Sequence, residues 1–185
     1  MPALTALLKV WDGPVRLLHW ALVCSLLVAW TSTLGFGLTS FHEPAGYSAM
    51  GLVALRVIWG FCGTFYARFS QFVRGHQEVQ RYARKVLASR EPRYIGHNPL
   101  GGWMVLLLFF VVGAVCVTGW LYTTDYFWGM AWLDTLHLCL GWLLLFLVPV
   151  HLFGVALASR RHHENLVFSM FSGCKSMPKS GDVDQ

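Results

Sequence analysis

The sequence predicts an all-α integral membrane protein, a four-helix bundle that runs up, down, up and down with both termini in the cytoplasm. Three observations carry this prediction. Hydrophobic residues make up 56% of the 185 residues and charged residues only 12%, whereas a soluble domain has roughly 25% charged residues. Four long apolar stretches divide the chain, and the nine tryptophans suit a bilayer protein because indole rings favour the headgroup region. The basic residues lie in the segments on one side of these stretches.

Each apolar stretch is long enough to cross a bilayer, which takes about 20 residues. The first stretch exceeds the apolar region of a signal peptide and lacks an obvious cleavage site, so we expect it to be a helix of the mature protein. Only the second contains a charge, Arg56. The predicted helices cover 15–35, 43–65, 100–123 and 133–159. They form one domain, 1–175, and we expect a disordered tail over 176–185.

The basic residues predict the orientation of these helices. Seven of them lie between the second and third helices: Arg68, Arg74, Arg81, Arg84, Lys85, Arg90 and Arg93. Others lie in the two terminal segments, whereas the connections 35–46 and 123–134 contain no lysine or arginine. The positive-inside rule therefore places both termini and the basic loop in the cytoplasm. Because this pattern accounts for the net charge of +5, we expect the lipid bilayer as a partner and no nucleic acid.

Four of the eight histidines lie in or at the ends of the apolar helices: His19, His42, His137 and His151. An ionisable side chain there is costly and indicates function, although one such histidine alone is explained equally well by a hydrogen bond to a neighbouring helix. His137 and His151 are fourteen residues apart, so their rings leave the same helix face about 21 Å apart. The topology pairs His42 with His137 near the periplasmic surface and His19 with His151 near the cytoplasm. Each layer has the two facing imidazoles that bind one haem.

Two glycines follow the histidines of the periplasmic layer at the same spacing. Gly46 comes four residues after His42, and Gly141 comes four residues after His137. A glycine on the face of the histidine leaves room for a flat macrocycle. Close contact between two helices explains either glycine alone about as well.

Three further side chains are candidates for cofactor contacts. Arg56 needs a partner inside the membrane, and we favour a haem propionate over Asp12 or water. Arg16, one turn before His19, either contacts a propionate or a quinone or anchors its helix at the interface. His97, in Gly-His-Asn-Pro before the third helix, either caps that helix or lines a quinone pocket.

Short motifs extend along nearly the whole chain, over about 9–175. They are VWDGPVRLLHW at 10–20, GY at 46–47, RVIWGFCG at 56–63, YARF at 66–69, GHNP at 96–99, HENL at 163–166 and GCK at 173–175. Together they resemble the bacterial cytochrome b561 family, which includes the cytochrome b subunits of nickel-dependent hydrogenases. The resemblance implies a four-helix dihaem b-type cytochrome that exchanges electrons with the quinone pool. The ligand pattern of the family falls on His19, His42, His137 and His151.

The function we favour is electron transfer by two haem b groups between quinone and a partner redox protein of a bacterial respiratory chain. That partner is a c-type cytochrome or a dehydrogenase or hydrogenase subunit. Three alternatives stay open: a quinone-linked oxidoreductase acting on superoxide or another small oxidant, a haem-containing membrane anchor, and a transporter of divalent metal ions or protons. The transporter is weakened because no carboxylate lies deep in the helices. Catalysis by the chain on its own is left open.

Overall fold

The computed structural model describes residues 7–184, and most of them are helical. Within that range, four helices are long and apolar enough to cross a membrane: α1 Gly13–Thr31, α2 His42–Cys62, α5 Pro99–Tyr122 and α6 Ala131–Arg161. The shorter elements are β1 Leu7–Lys9, α3 Phe69–Phe72, α4 His76–Leu87, α7 Leu166–Ser172 and β2 Cys174–Ser176. The prediction of an all-α, multi-pass membrane protein is confirmed, and a short two-stranded sheet is added to it.

The long helices begin and end within four residues of the predicted bounds. The largest difference is at the end of α1, which stops at Thr31. The turn that follows contains Gly35 and Gly37, with φ angles of 82° and 73°. Glycine adopts this left-handed conformation without a steric cost, and a right-handed helix cannot continue through it.

The chain forms two compact units. The first, which we call the helix-bundle unit, comprises 17–57 and 107–150. Its core is apolar and takes side chains from α2, α5 and α6: Ala49, Val53, Val111, Val112, Cys116, Leu144 and Leu147. Leu22 and Leu26 of α1 pack against this core. Large side chains such as Phe110 point outward and are 73% exposed, as expected for a surface that faces lipid.

The second unit, which we call the terminal unit, comprises 7–16, 58–106 and 151–184 of the described residues. Here β1 and β2 pair in antiparallel register, with Leu8 opposite Lys175. Next to the sheet lies an apolar cluster of Val10, Trp11, Val15, Ala67 and Ile95. Helix α4 is amphipathic: Tyr82 is buried, while its arginines and Lys85 are exposed.

The tail is a correction to the sequence prediction. Disorder was expected over 176–185, but residues 176–184 are held against the terminal unit, and Gln185 lies outside the described residues. Val183 forms a backbone bridge with Tyr94, and Asp182 pairs with the buried guanidinium of Arg93. Because breaking a buried ion pair is strongly destabilising, the pair with Arg93 keeps this otherwise polar segment ordered.

Candidate functional site

His42 and His137 lie together in the helix-bundle unit. His42 is the first residue of α2, and His137 lies in the second turn of α6. Their ring centres are 6.1 Å apart and their ring planes are at 79° to each other. Both side chains are half-buried. These are the two histidines that the sequence assigns to one layer.

The hydrogen bonds of the two rings fix their protonation. Nδ1 of His42 lies 2.8 Å from the carbonyl oxygen of Ala29, and Nδ1 of His137 lies 3.1 Å from the carbonyl oxygen of Val115. A carbonyl oxygen only accepts hydrogen bonds, so each Nδ1 carries the proton. Nε2 is therefore the nitrogen of each ring that is left for a metal ion, the form in which histidine binds a metal while its other nitrogen donates to a carbonyl.

The position of Ala29 explains why its carbonyl is available. The last four carbonyls of a helix lack partners within that helix, and Ala29 is two residues before the end of α1. The hydroxyl of Ser32 and the imidazole of His42 both donate to this oxygen, at 2.7 and 2.8 Å. His42 is thus anchored on the last turn of α1.

Two buried hydroxyl groups also contact the rings. Ser32 Oγ lies 3.3 Å from Nδ1 of His42, and Thr118 Oγ1 lies 3.1 Å from Nδ1 of His137. Neither residue was predicted from the sequence. Ser32 stands between Thr31 and Thr33. Nothing in the sequence distinguishes Ser32 or Thr118 from hydroxyl residues that face lipid.

The geometry of this pair fits an iron porphyrin. Two imidazoles that bind one metal ion from opposite sides, through bonds of about 2 Å, have ring centres roughly 6 Å apart. A Cβ atom added to Gly46 or Gly141 would meet no atom within 4 Å. Open space therefore lies beside α2 and α6 one turn from each histidine, where the sequence predicts room for a macrocycle.

The two other predicted ligands, His19 and His151, belong to different units of the chain. His19 lies in α1 within the helix-bundle unit and is half-buried, with its ring centre 5.2 Å from that of Trp20. His151 lies in α6 within the terminal unit and is also half-buried. The pairing of His19 with His151 stays a prediction.

The two candidate arginines have different surroundings. Arg56, in α2, is only 7% exposed, and its guanidinium carbon lies 5.7 Å from the ring centre of Phe109. Arg16 lies in the terminal unit, where its guanidinium donates to the carbonyl oxygen of Phe171. This bond ties the start of α1 to α7. A propionate contact for either arginine stays a prediction.

Of the two roles left open for His97, the capping role belongs to its neighbour, and the quinone contact stays a prediction. The cap of α5 is Asn98, whose Oδ1 accepts a hydrogen bond from the Gly101 backbone at 2.7 Å, because a short amide side chain reaches the first free N–H groups of a helix. The ring of His97 instead lies between two aromatic rings, 4.8 Å from Trp11 and 4.6 Å from Phe72. The terminal unit therefore holds this imidazole between two aromatic rings.

Asp12 performs the same capping role for α1. Its Oδ1 accepts from the backbone of Val15 at 2.7 Å. Its other oxygen accepts from the indole of Trp59 at 2.9 Å and from the hydroxyl of Thr64. This carboxylate joins the start of α1 to the end of α2 within the terminal unit.

A buried polar network in the terminal unit was also missed from the sequence. The guanidinium of Arg93 pairs with Glu164 and Asp182 and donates to Ser176. Burial alone would raise the pKa of Glu164, but hydrogen bonds from Arg93 and the nearby charge of Lys175 hold it below the ordinary value. Burial lowers the pKa of Lys175 to about 8. Arg93 is 71 residues from Glu164 and 89 residues from Asp182 in the sequence, so no local pattern predicts their contact.

Comparisons with known proteins agree with this architecture. The prokaryotic cytochrome b561 family matches over residues 10–173. The probable Ni/Fe-hydrogenase B-type cytochrome subunit of Azotobacter vinelandii is 31% identical over 165 residues, covering 73% of this chain and 66% of the relative. The protein of the same description from Rhizobium leguminosarum bv. viciae is 26% identical over 209 residues, covering 89% of this chain and 87% of the relative.

The chain spans just under two thirds of the length of the Azotobacter vinelandii relative. No solved structure matches it. The family match extends from the residue after β1 to the residue after α7. On this match, the chain belongs to the prokaryotic cytochrome b561 family.

Proposed function

We propose that this protein is a dihaem b-type cytochrome that transfers electrons between the quinone pool and a partner redox protein in a bacterial cytoplasmic membrane. Membership of the family supports haem b and electron transfer by a membrane protein. Our proposal goes beyond the family match in four respects: the number of haems, their ligands, the quinone and the partner.

The His42–His137 pair is the observation that carries the proposal. Two neutral imidazoles from different helices lie with ring centres 6.1 Å apart, and a backbone carbonyl fixes the tautomer of each. A haem b held between them would supply reversible one-electron chemistry. The protein's own part is to present both Nε2 lone pairs and to surround them with apolar helices that exclude water, which tunes the potential.

We assign the second haem to His19 and His151. His151 is fourteen residues after His137 on α6, close to four turns. Arg56 is likewise fourteen residues after His42 on α2, so we assign its buried guanidinium to a propionate of this second haem. Gly46 and Gly141 supply space for the macrocycle of the first.

Charge distribution supports the proposed orientation. Apart from Arg56, the basic residues lie before or in the first turn of α1, between α2 and α5, and in the last turn of α6 or after it, so an up-down-up-down arrangement has both termini in the cytoplasm. We propose that the aromatic cluster of His97, Trp11 and Phe72 forms part of a quinone site on this side. Because both relatives are described as hydrogenase cytochrome subunits, a hydrogenase is one candidate partner. A c-type cytochrome and another dehydrogenase subunit are the other candidates.

Haem counting tests the ligand assignment. The purified chain is expected to contain about two haem b, measured as the pyridine haemochrome and in a reduced-minus-oxidised spectrum. His42→Ala and His137→Ala should each lose one haem, and His19→Ala and His151→Ala should each lose the other. The matched control is His76→Ala, an exposed histidine of α4, which should retain both. A colourless protein, or a His137→Ala variant with two haems, overturns the assignment.

A second assay separates an electron carrier from an anchor subunit. If the quinone site belongs to this chain, quinol should reduce its haems when the chain is purified alone and mixed with an oxidant such as a c-type cytochrome. Changing His97 to Ala should slow the reduction without changing the haem content. Haems that quinol never reduces in the isolated chain would favour the anchor.

A further inference from the structure

We infer that Ser32 and Thr118 are positioning residues that set the electron-donating strength of His42 and His137 and so lower the redox potential of the haem between them. The inference rests on the proposed function, since it concerns the haem assigned to this pair. It concerns two hydroxyl groups that neither bind the iron nor belong to any of the matching sequence motifs.

Ser32 lies directly after α1 and is 1% exposed. Its hydroxyl donates to the carbonyl oxygen of Ala29 at 2.7 Å. The same Oγ atom lies 3.3 Å from Nδ1 of His42. The single hydroxyl proton is already used by the carbonyl, so the contact with the ring requires Oγ to accept from Nδ1–H.

Thr118 repeats this arrangement on α5. It is 7% exposed, and its hydroxyl donates within the helix to the carbonyl oxygens of Ala114 and Val115, at 2.8 and 2.9 Å. Its Oγ1 lies 3.1 Å from Nδ1 of His137. Here too the hydroxyl proton points toward the helix backbone, and the lone pairs face the ring.

Each imidazole N–H is therefore shared between two acceptors, one carbonyl oxygen and one hydroxyl oxygen. Such three-centre hydrogen bonds are common in proteins. Two acceptors draw the proton further from the ring than one acceptor does, which makes Nε2 more basic. A more basic axial ligand stabilises ferric over ferrous iron, so both hydroxyls act to lower the potential.

Gly119 provides an independent sign that this part of α5 is shaped around the ring. A Cβ atom at that position would lie 3.0 Å from Cε1 of His137 and 3.5 Å from its Nδ1. Any larger residue would press on the imidazole. The adjacent residues 118 and 119 thus fix the ring from two directions, one by a hydrogen bond and one by close packing.

Other hydroxyls of the helix-bundle unit provide matched controls. Thr135 donates to the carbonyl oxygen of Ala131 at 2.8 Å, and Ser48 donates to that of Pro44 at 2.9 Å. Both are exposed. They lie on α6 and α2, the helices of the two ligands, and they have the same bond to the helix backbone without the contact to a ring.

The test measures the midpoint potential of the haem bound by the His42–His137 pair, using an optical redox titration of the purified dihaem protein. Ser32→Ala and Thr118→Val should each raise this potential and leave that of the other haem unchanged, and the double variant should raise it further. The low-spin electron paramagnetic resonance signal of the same haem should shift. Thr118→Ser, which keeps the hydroxyl, and the controls Thr135→Val and Ser48→Ala should retain the original potential.

An unchanged potential in Ser32→Ala and Thr118→Val, with both haems bound, overturns the inference. If Thr118→Val loses the haem, Thr118→Ser decides the matter, because its hydroxyl should restore both haem and potential, and failure to restore them also overturns it. Absence of this haem from the unaltered protein would instead refute the proposed function, and haem counting detects that separately.

Discussion

The two units of the molecule satisfy their polar groups in different ways. The helix-bundle unit contains four charged residues, Glu43, Arg56, Asp125 and Asp134, and its histidines and hydroxyls are bonded mainly to backbone carbonyls. The terminal unit contains the other charged residues and buries a network of ion pairs around Arg93. Neutral groups bonded to carbonyls suit a lipid surrounding, where a charge is costly. Stability in the terminal unit should therefore depend on charge and pH, and stability in the helix-bundle unit on packing.

The largest expected effect is that of Arg93→Ala. The change leaves the carboxylates of Glu164 and Asp182 buried without their partner, and breaking a buried pair in this way costs about 3–5 kcal/mol. Thermal unfolding in detergent should show the loss, while the absorption spectrum of the haem that we assign to His42 and His137 stays the same. Arg81→Ala, at an exposed position of α4, is the control. Equal stability of the two variants would remove the contrast between the units.

Acid should weaken the terminal unit next. Although burial opposes ionisation of Glu91, Glu164 and Asp182, hydrogen bonds from arginines and the backbone keep the pKa of each below its ordinary value. A carboxyl group whose pKa is lowered by folding stabilises the fold above its unfolded pKa, about 4. That stabilisation is lost as the pH falls through the folded pKa.

Unfolding followed as a function of pH below about 5 checks this expectation. The Asp182→Asn variant should lose less stability on acidification than the unaltered protein, because one of the titrating groups is gone. An acid dependence that is the same in both would show that the Arg93 network does not control it.

Gly119→Ala should have a smaller effect, and in the other unit. The added methyl group would lie 3.0 Å from Cε1 of His137, and such overpacking costs about 1–3 kcal/mol. The paramagnetic resonance signal of the haem that we assign to His137 should shift as the ring moves. On the same helix, Gly113→Ala meets no atom within 4 Å and should be neutral or stabilising. A Gly119→Ala protein with an unchanged signal would contradict the close fit.

The smallest effect is expected for Ser169→Ala in the terminal unit. It removes the acceptor of the Trp11 indole N–H, which lies 3.2 Å from Ser169 Oγ, and costs about 1 kcal/mol. Chemical unfolding is the measurement, with the exposed Ser70→Ala as the control. A loss above that for Arg93→Ala would mean that neutral bonds, and not ion pairs, dominate this unit.

The sequence predicted the helix-bundle unit better than the terminal unit for a physical reason. Crossing a bilayer imposes long apolar runs, so the bounds of the four helices could be predicted closely. A histidine within such a run is an unusual ionisable residue and is therefore easily singled out as a candidate ligand. The tail could not be predicted, since the order of Asp182 depends on Arg93, which is 89 residues away. The sequence left capping and a quinone pocket open for His97, and it could not place the cap on Asn98, because a one-residue shift at a helix start is invisible without the backbone.

The oxygen that holds His42 belongs to the main chain of residue 29. Any amino acid that continues α1 supplies the same atom, so alanine scanning cannot remove the bond and covariation between positions 29 and 42 would not reveal it. Only a chemical replacement of the peptide linkage by an ester, which weakens the carbonyl as an acceptor, would alter it. The hydrogen bond that orients His42 can therefore be kept through evolution without leaving any trace in the choice of side chains.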